Sequence, residues 1–285
     1  MVTKIGLKLY KLLGRLPFSV LYFISNILYV LVYKIVGYRK KVVRENLELS
    51  FPEKDEKSIK AIEKKFYKHL FDIMVETLKC ESITEEDLAL RMKPESLDII
   101  NDLKSKNQSA MIITGHYNNW EWSGRKFIID SEGMAIIAYK KVTNPNVDEL
   151  ILESRKRFGG HVVSMMQFIR YVIKRRKETL FPVLIADQTP HKDKIEYVTN
   201  FLNQDTAVYL GGENLAKSLK LPVYFMSVHK IKRGYYSYRL ELITEDYNAP
   251  KFEITNKHLS LLENQIKENP AYWLWSHRRW KYTRK

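Results

Sequence analysis

Ser109-Ala-Met-Ile-Ile-Thr-Gly-His-Tyr-Asn-Asn-Trp-Glu-Trp122 is the stretch from which the fold reads most directly. Its first six residues form a short apolar run with polar flanks, which predicts a buried strand over 109–114. His116 then stands just past the carboxyl end of that strand, where α/β folds place ligands. His116 and Glu121 are five residues apart and would point in different directions along one straight helix. They meet only if His116 lies in the preceding turn and Glu121 in the first helical turns. Gly115 permits such a turn, and Asn118 or Asn119 can cap the helix. A carboxylate bonded to one ring nitrogen fixes the tautomer and leaves the other nitrogen as a base. The bland alternative is a satisfied core or helix-capping histidine, with Glu121 a solvated helix residue.

Outward from this block, Ile59, Ile62, Phe66, Leu70, Ile73 and Thr77 recur at three- and four-residue steps. That spacing predicts a helix over 55–80, with Pro52 just ahead of its start. Further helices are predicted over 149–158, stopped by Gly159 and Gly160, and over 168–177 and 252–268. Strands are predicted over 179–186, 221–230 and 235–244, the last two joined by a hairpin at Arg233-Gly234. Strands alternating with helices argue for an α/β fold: a central mixed, largely parallel sheet flanked by helices. No repeat and no linker divides residues 37–285, which read as one domain.

Composition bounds the function. With 45% hydrophobic residues and only 11 Gly and 9 Pro, the 285-residue chain is neither disordered nor of low complexity. Its 48 Lys and Arg against 33 Asp and Glu leave a net charge of +15, which implies an anionic partner: nucleic acid, an anionic membrane, or an acidic substrate or carrier. The single cysteine, Cys80, excludes an intrachain disulfide framework and any multi-cysteine metal site.

Residues 1–36 qualify the word soluble. From Leu16 to Tyr33 run 18 uncharged residues, mostly apolar and aromatic. A spanning helix needs about 20, so a short inserted helix, an interfacial helix and a buried core helix all remain open. Aromatic residues and basic flanks favour membrane contact, making 1–36 an N-terminal hydrophobic, membrane-associated helical segment. Lys40 and Lys41, just beyond it, would sit at the headgroups. At the other end, Trp273, Trp275 and Trp280 alternate with His277, Arg278, Arg279 and Lys281. Such a mixture suits nucleic acid or a membrane interface. It also suits tryptophans packed in the core with only the charges exposed.

No Gly-x-Ser-x-Gly elbow, Walker phosphate loop or His-Glu-x-x-His helix occurs. Several blocks in order nevertheless match one family. These are Gly37-Tyr-Arg-Lys-Lys-Val-Val-Arg-Glu-Asn-Leu-Glu-Leu-Ser-Phe-Pro52, Glu76 with Lys79, and Gly115 to Glu121. Arg155-Lys-Arg-Phe-Gly159, Ala186-Asp-Gln188 and Gly211 or Gly212 with Leu215-Ala216 follow, then Asn269-Pro-Ala-Tyr-Trp-Leu-Trp-Ser-His-Arg-Arg-Trp-Lys281. Together they resemble the bacterial lipid A biosynthesis acyltransferases, a branch of the lysophospholipid acyltransferase superfamily, over nearly the whole chain. Phe201-Leu-Asn203 departs from that family's Phe-Phe-Gly turn.

The resemblance implies acyl transfer from an acyl carrier protein thioester to a hydroxyl of a lipid A precursor or related anionic glycolipid. It places this at the cytoplasmic face of a bacterial inner membrane, with no cofactor, metal or nucleic acid. It casts His116 as general base and Glu121 as the carboxylate that orients it. Arg155 or Arg157, Asp187 and Gln188 bind substrate, with Asp187 expected on an arginine or a substrate hydroxyl. Lys40, Lys41, Arg278, Arg279 and Lys281 are expected to attract the anionic surface. Two alternatives stand beside it: the same chemistry on a lysophospholipid, aminolipid or phosphatidylinositol mannoside, and a non-enzymatic basic binder of nucleic acid or membrane surface.

Overall fold

The computed structural model describes residues 4–283. Its strands, in chain order, are β1 (Met92–Pro94), β2 (Met111–Thr114), β3 (Ala135–Tyr139), β4 (His161–Ser164), β5 (Phe181–Ile185), β6 (Tyr197–Phe201), β7 (Gln204–Val208), β8 (Val223–Lys232) and β9 (Tyr235–Thr244). The helices are α1 (Lys4–Gly14), α2 (Phe18–Leu28), α3 (Lys40–Ser50), α4 (Glu56–Lys79), α5 (Glu85–Arg91), α6 (Leu97–Ser105), α7 (Trp120–Asp130), α8 (Pro145–Lys156), α9 (Met165–Lys174), α10 (Gly211–Leu219) and α11 (Glu253–Glu268). Seven strands form one sheet in the order β1-β9-β8-β2-β5-β3-β4. All neighbours in it are parallel except β8 and β9. The sheet is therefore mixed and largely parallel, with apolar clusters on both faces under the helices. β2 lies at its centre, and all four of its residues are buried, as an uninterrupted apolar run requires.

Local signals fix the element ends. Asp55 starts α4 by accepting from the Ser58 N–H at 2.9 Å. α8 begins four residues before the predicted 149 because Asn144 caps it and Pro145 occupies the first turn, where its missing N–H costs nothing. The β8–β9 turn needs glycine: Gly234 has φ +73°, and a Cβ there would meet the Tyr22 hydroxyl at 2.0 Å. β6 and β7 form a separate hairpin whose turn residues, Leu202 and Asn203, both have positive φ (52° and 60°). The turn at Phe201-Leu-Asn203 thus keeps a left-handed backbone without glycine. It is packed inward, since the Leu202 N–H donates to Glu263 and the Asn203 amide to the Ser50 carbonyl.

α2 continues as a π-helical stretch, Tyr29–Val36, so that Phe18–Val36 is one rod of 19 residues. Among the described residues it is the one helix long and apolar enough to cross a membrane. Its inner side is unusually polar. Tyr22 and Tyr33 donate to Glu76 and Glu63 at 2.8 Å, and Ser25 to Asp72 at 2.7 Å, all on α4. Its outer side carries Phe23, Ile27, Leu31 and Ile35, with Phe23 65% and Ile35 72% exposed. That is the reverse of a water-facing helix, whose outer side is polar.

Candidate active site

The pairing of β2 with β5 builds the site. Their parallel register sets Thr114 opposite Ile185, so His116 and Asp187, each two residues further on, emerge side by side. Asp187 accepts the His116 backbone N–H at 2.7 Å and bonds the ring Nδ1 at 2.6 Å. A carboxylate offers no proton, so Nδ1 is the donor and Nε2 of the neutral ring is the acceptor. The side-chain amide of Gln188 lies 3.2 Å from that Nε2. A third donor, the Trp273 indole, reaches Asp187 at 2.8 Å. Burial opposes ionisation of Asp187, but His116 and these donors outweigh it and hold the carboxyl well below the usual range. Gly115 serves close packing: an added Cβ would meet Leu262 of α11 at 2.8 Å and Asp187 at 3.2 Å.

Glu121 occupies a neighbouring compartment. Asn119 caps α7, its Oδ1 accepting from the Trp122 N–H at 2.9 Å, which puts His116 in the preceding turn and Glu121 in the first helical turn as the spacing required. The ring nevertheless turns to Asp187, and Glu121 is held by Arg125 at 2.7 Å and by Arg155. Burial alone would raise the Glu121 carboxyl; Arg155 and then Arg125 reverse this and bring it down to about 2. Beside this cluster is a cavity of about 50 Å³ with an apolar floor of Trp120, Ile128, Ile137, Ala138 and Ile185. Gly124 borders it and a Cβ there would touch nothing within 4 Å. Trp120 joins the two compartments, its ring meeting His116 edge-on with centroids 5.2 Å apart.

A family profile described as bacterial lipid A biosynthesis acyltransferase matches residues 1–282. The chain belongs to that family. It is 22% identical to the lipid A biosynthesis lauroyltransferase of Escherichia coli K12 over 283 residues, covering 98% of this chain and 91% of the relative. The E. coli K12 lipid A biosynthesis palmitoleoyltransferase and a Shigella flexneri lipid A biosynthesis acyltransferase match at the same identity over 286 residues, with the same coverage. It is an acyltransferase by family.

Some of the residues expected to bind stand elsewhere. Arg155 enters the site, whereas Arg157 donates to the carbonyls of Cys80 and Ile83, at 2.7 and 3.1 Å, beyond the end of α4. Arg155 lies in the last turn of α8 and Arg157 just past its end, so the two point apart and only the first faces Glu121. Asp187 bonds the His116 ring and Trp273 rather than an arginine. The terminal signature also forms a wall behind the site instead of a basic aromatic surface. Trp273, Trp275 and Trp280 are buried and packed edge-on, so their rings are closed to stacking with a base. Arg278 and Lys281 are exposed, as is Lys41. Lys40 is half-buried, its ammonium 4.7 Å above the Tyr33 ring. Arg279, expected at the surface, is only 1% exposed, because the chain turns inward between Arg278 and Trp280.

One residue of the site is absent from the sequence expectations. Arg125 lies four residues after Glu121 on α7, a spacing that signals a helical ion pair. Trp273 and Arg279 belong to the terminal signature that the sequence singles out, but their places differ from those expected there: Trp273 reaches Asp187 and Arg279 is buried, because the terminus returns to the sheet. Among the described residues no group of three or more His, Cys, Asp or Glu side chains is set to hold a metal.

Proposed function

We propose that this acyltransferase moves a fatty acyl chain from a carrier-protein thioester to a hydroxyl of a lipid A precursor, with His116 as general base. The observation that carries this reading is the Nδ1 bond to Asp187, which leaves Nε2 as a lone-pair acceptor facing out of the sheet. Nε2 takes the proton of the acceptor hydroxyl as its oxygen attacks the thioester carbonyl. The tetrahedral intermediate collapses with cleavage of the C–S bond, and the imidazolium returns the proton to the thiolate. Asp187 holds the ring and stabilises its transient positive charge. The Gln188 amide gives way to the acceptor hydroxyl.

Glu121 then acts through Arg155, fixing a guanidinium at the mouth of the apolar cavity, where it can hold an acceptor phosphate or polarise the thioester oxygen. The cavity has the volume of about two water molecules, so an acyl chain enters only as Trp120 or Arg155 moves aside. The exposed apolar side of Phe18–Val36 supports residues 1–36 as a membrane-associated segment. The net charge of +15 suits an acidic carrier, a phosphorylated acceptor and an anionic leaflet at the cytoplasmic face. A His116→Ala protein that folds, assayed for acyl transfer to a lipid A precursor, tests the reading. Turnover should fall at least about a hundredfold, the low end for a general base, and near-normal turnover rejects it.

A further inference from the structure

Arg279 is a buried cation whose partner is not in contact with it. Its Nη1 donates to the Ala207 carbonyl at 2.7 Å, while Nε and Nη2 have no hydrogen-bond partner. Removing such a charge from water is expensive unless an opposite charge faces it, and at 1% exposure no soluble anion reaches this one. Several ties bring this part of the chain close to Asp187. Thr189, two residues beyond Asp187, donates its hydroxyl to the Arg279 carbonyl at 2.5 Å and its N–H to His277 at 3.3 Å. Trp273 bonds Asp187 itself, and Trp280 donates to Thr206, next to Ala207, at 2.6 Å.

The other charged or titratable groups facing this region are His116, His258, His277 and Arg39. His258 stands on α11 one turn before Leu262, which covers Gly115, and its Nε2 also lacks a partner. Arg39 donates to the Ser276 carbonyl at 2.7 Å and faces His277. Burial brings His258 and His277 down to about 4, so both are neutral near pH 7. Burial also lowers Arg279, to about 10, with Asp187 opposing the shift, and there it stays charged. Arg39 is exposed, so when His116 is neutral Arg279 is the buried permanent cation among these groups, and it interacts electrostatically with Asp187.

We propose that Arg279 is a positioning residue for the His116–Asp187 pair: its buried guanidinium keeps Asp187 a carboxylate while His116 is neutral and free to accept a proton. Without that charge the buried carboxylate would draw a proton onto the pair, and the base would be blocked over a wider acidic range. Asp187 thereby has two counter-charges, one permanent behind it and one that appears at His116 only during the reaction.

The proposal rests on His116 being the base, and its test separates the two. Full-length protein in detergent is assayed for the pH dependence of kcat/KM, and the His116 ring nitrogens are titrated by NMR. Arg279→Met, which fills the same space without charge, should move the acidic limb and the midpoint of the pair upward by about 1 unit, the scale of one buried charge at an effective dielectric of ~20. Arg279→Lys should return both toward wild type. A folded Arg279→Met protein with an unmoved profile and midpoint overturns the proposal, whatever its turnover. The NMR titration reads it even if His116→Ala stays active, an outcome that rejects the base but not the charge pairing. If Arg279→Met does not fold, Arg279→Lys decides: the retained charge requires a midpoint within about half a unit of wild type, and a larger displacement overturns the proposal.

Discussion

Exchanging each of the two buried carboxylates for its amide distinguishes the roles that their contacts suggest. Asp187→Asn keeps the shape of a side chain that accepts three hydrogen bonds between 2.6 and 2.8 Å. It removes the charge that stabilises the imidazolium, and such a charge-assisted bond contributes about 1.5–3 kcal/mol. At about 1.4 kcal/mol per factor of ten, that alone costs on the order of 10- to 150-fold in kcat. The amide N–H2 can also face Nδ1, which puts the ring proton on Nε2 and removes the base. In the serine-protease triad the same change lowers kcat by about 10⁴. We therefore expect a fall in kcat between about 10² and 10⁴ for Asp187→Asn. Glu121→Gln still accepts from one of its two arginines and leaves His116–Asp187 untouched. Its main effects should be on KM, through Arg155, and on stability. Steady-state kinetics with a defined acyl thioester and a lipid A precursor, alongside thermal melts, measures both. An active Asp187→Asn protein beside an inactive but folded Glu121→Gln protein would refute this reasoning and restore Glu121 as the partner of His116.

Acid should destabilise the fold in two stages. His258 and His277 lie at about 4, below their ordinary 6.5, so the unfolded chain takes up protons first and stability falls as pH drops from about 6.5 to 4. Glu121, depressed from 4.5 to about 2, adds stability that is complete above 4.5 and lost toward 2, on the order of 3 kcal/mol at about 1.4 kcal/mol per unit. Denaturant midpoints across pH should show both, and Glu121→Gln should shrink the second to the part that Asp187 contributes. Gly124→Val should fill the cavity and lower kcat/KM for long acyl donors about tenfold more than for short ones, each lost methylene contact being worth about 0.8 kcal/mol; equal losses at all chain lengths would dissociate the cavity from the acyl chain. Removal of residues 1–36 should release the protein from vesicles or leave it poorly folded, since it exposes apolar surface and strips Asp72 and Glu76 of donors; a stable, fully active, water-soluble fragment would contradict this.

The sequence by itself determined the sheet's central strands, the long α4, the β8–β9 hairpin and the place of His116 past β2. Each rests on local information: an apolar period, a cap, or a glycine that a turn demands. Wherever signals were short or shared, the tertiary structure decided. β1, β3 and β4 are three to five residues long and carry no flanking pattern distinct from a loop. His116 in a turn and Glu121 in the first helical turn meet the condition under which the two could pair, yet their spacing does not fix which carboxylate the ring meets. That followed from the parallel register of β2 and β5, which aligns residues 71 apart and offers Asp187 both the ring and the backbone N–H. The positive residues of the terminus were equally ambiguous: Arg278 and Arg279 are alike in composition, and only the inward turn of the chain buries the second. Local propensity is written in neighbouring residues, whereas the partner of a buried charge is set by which strands pair and where a terminus returns.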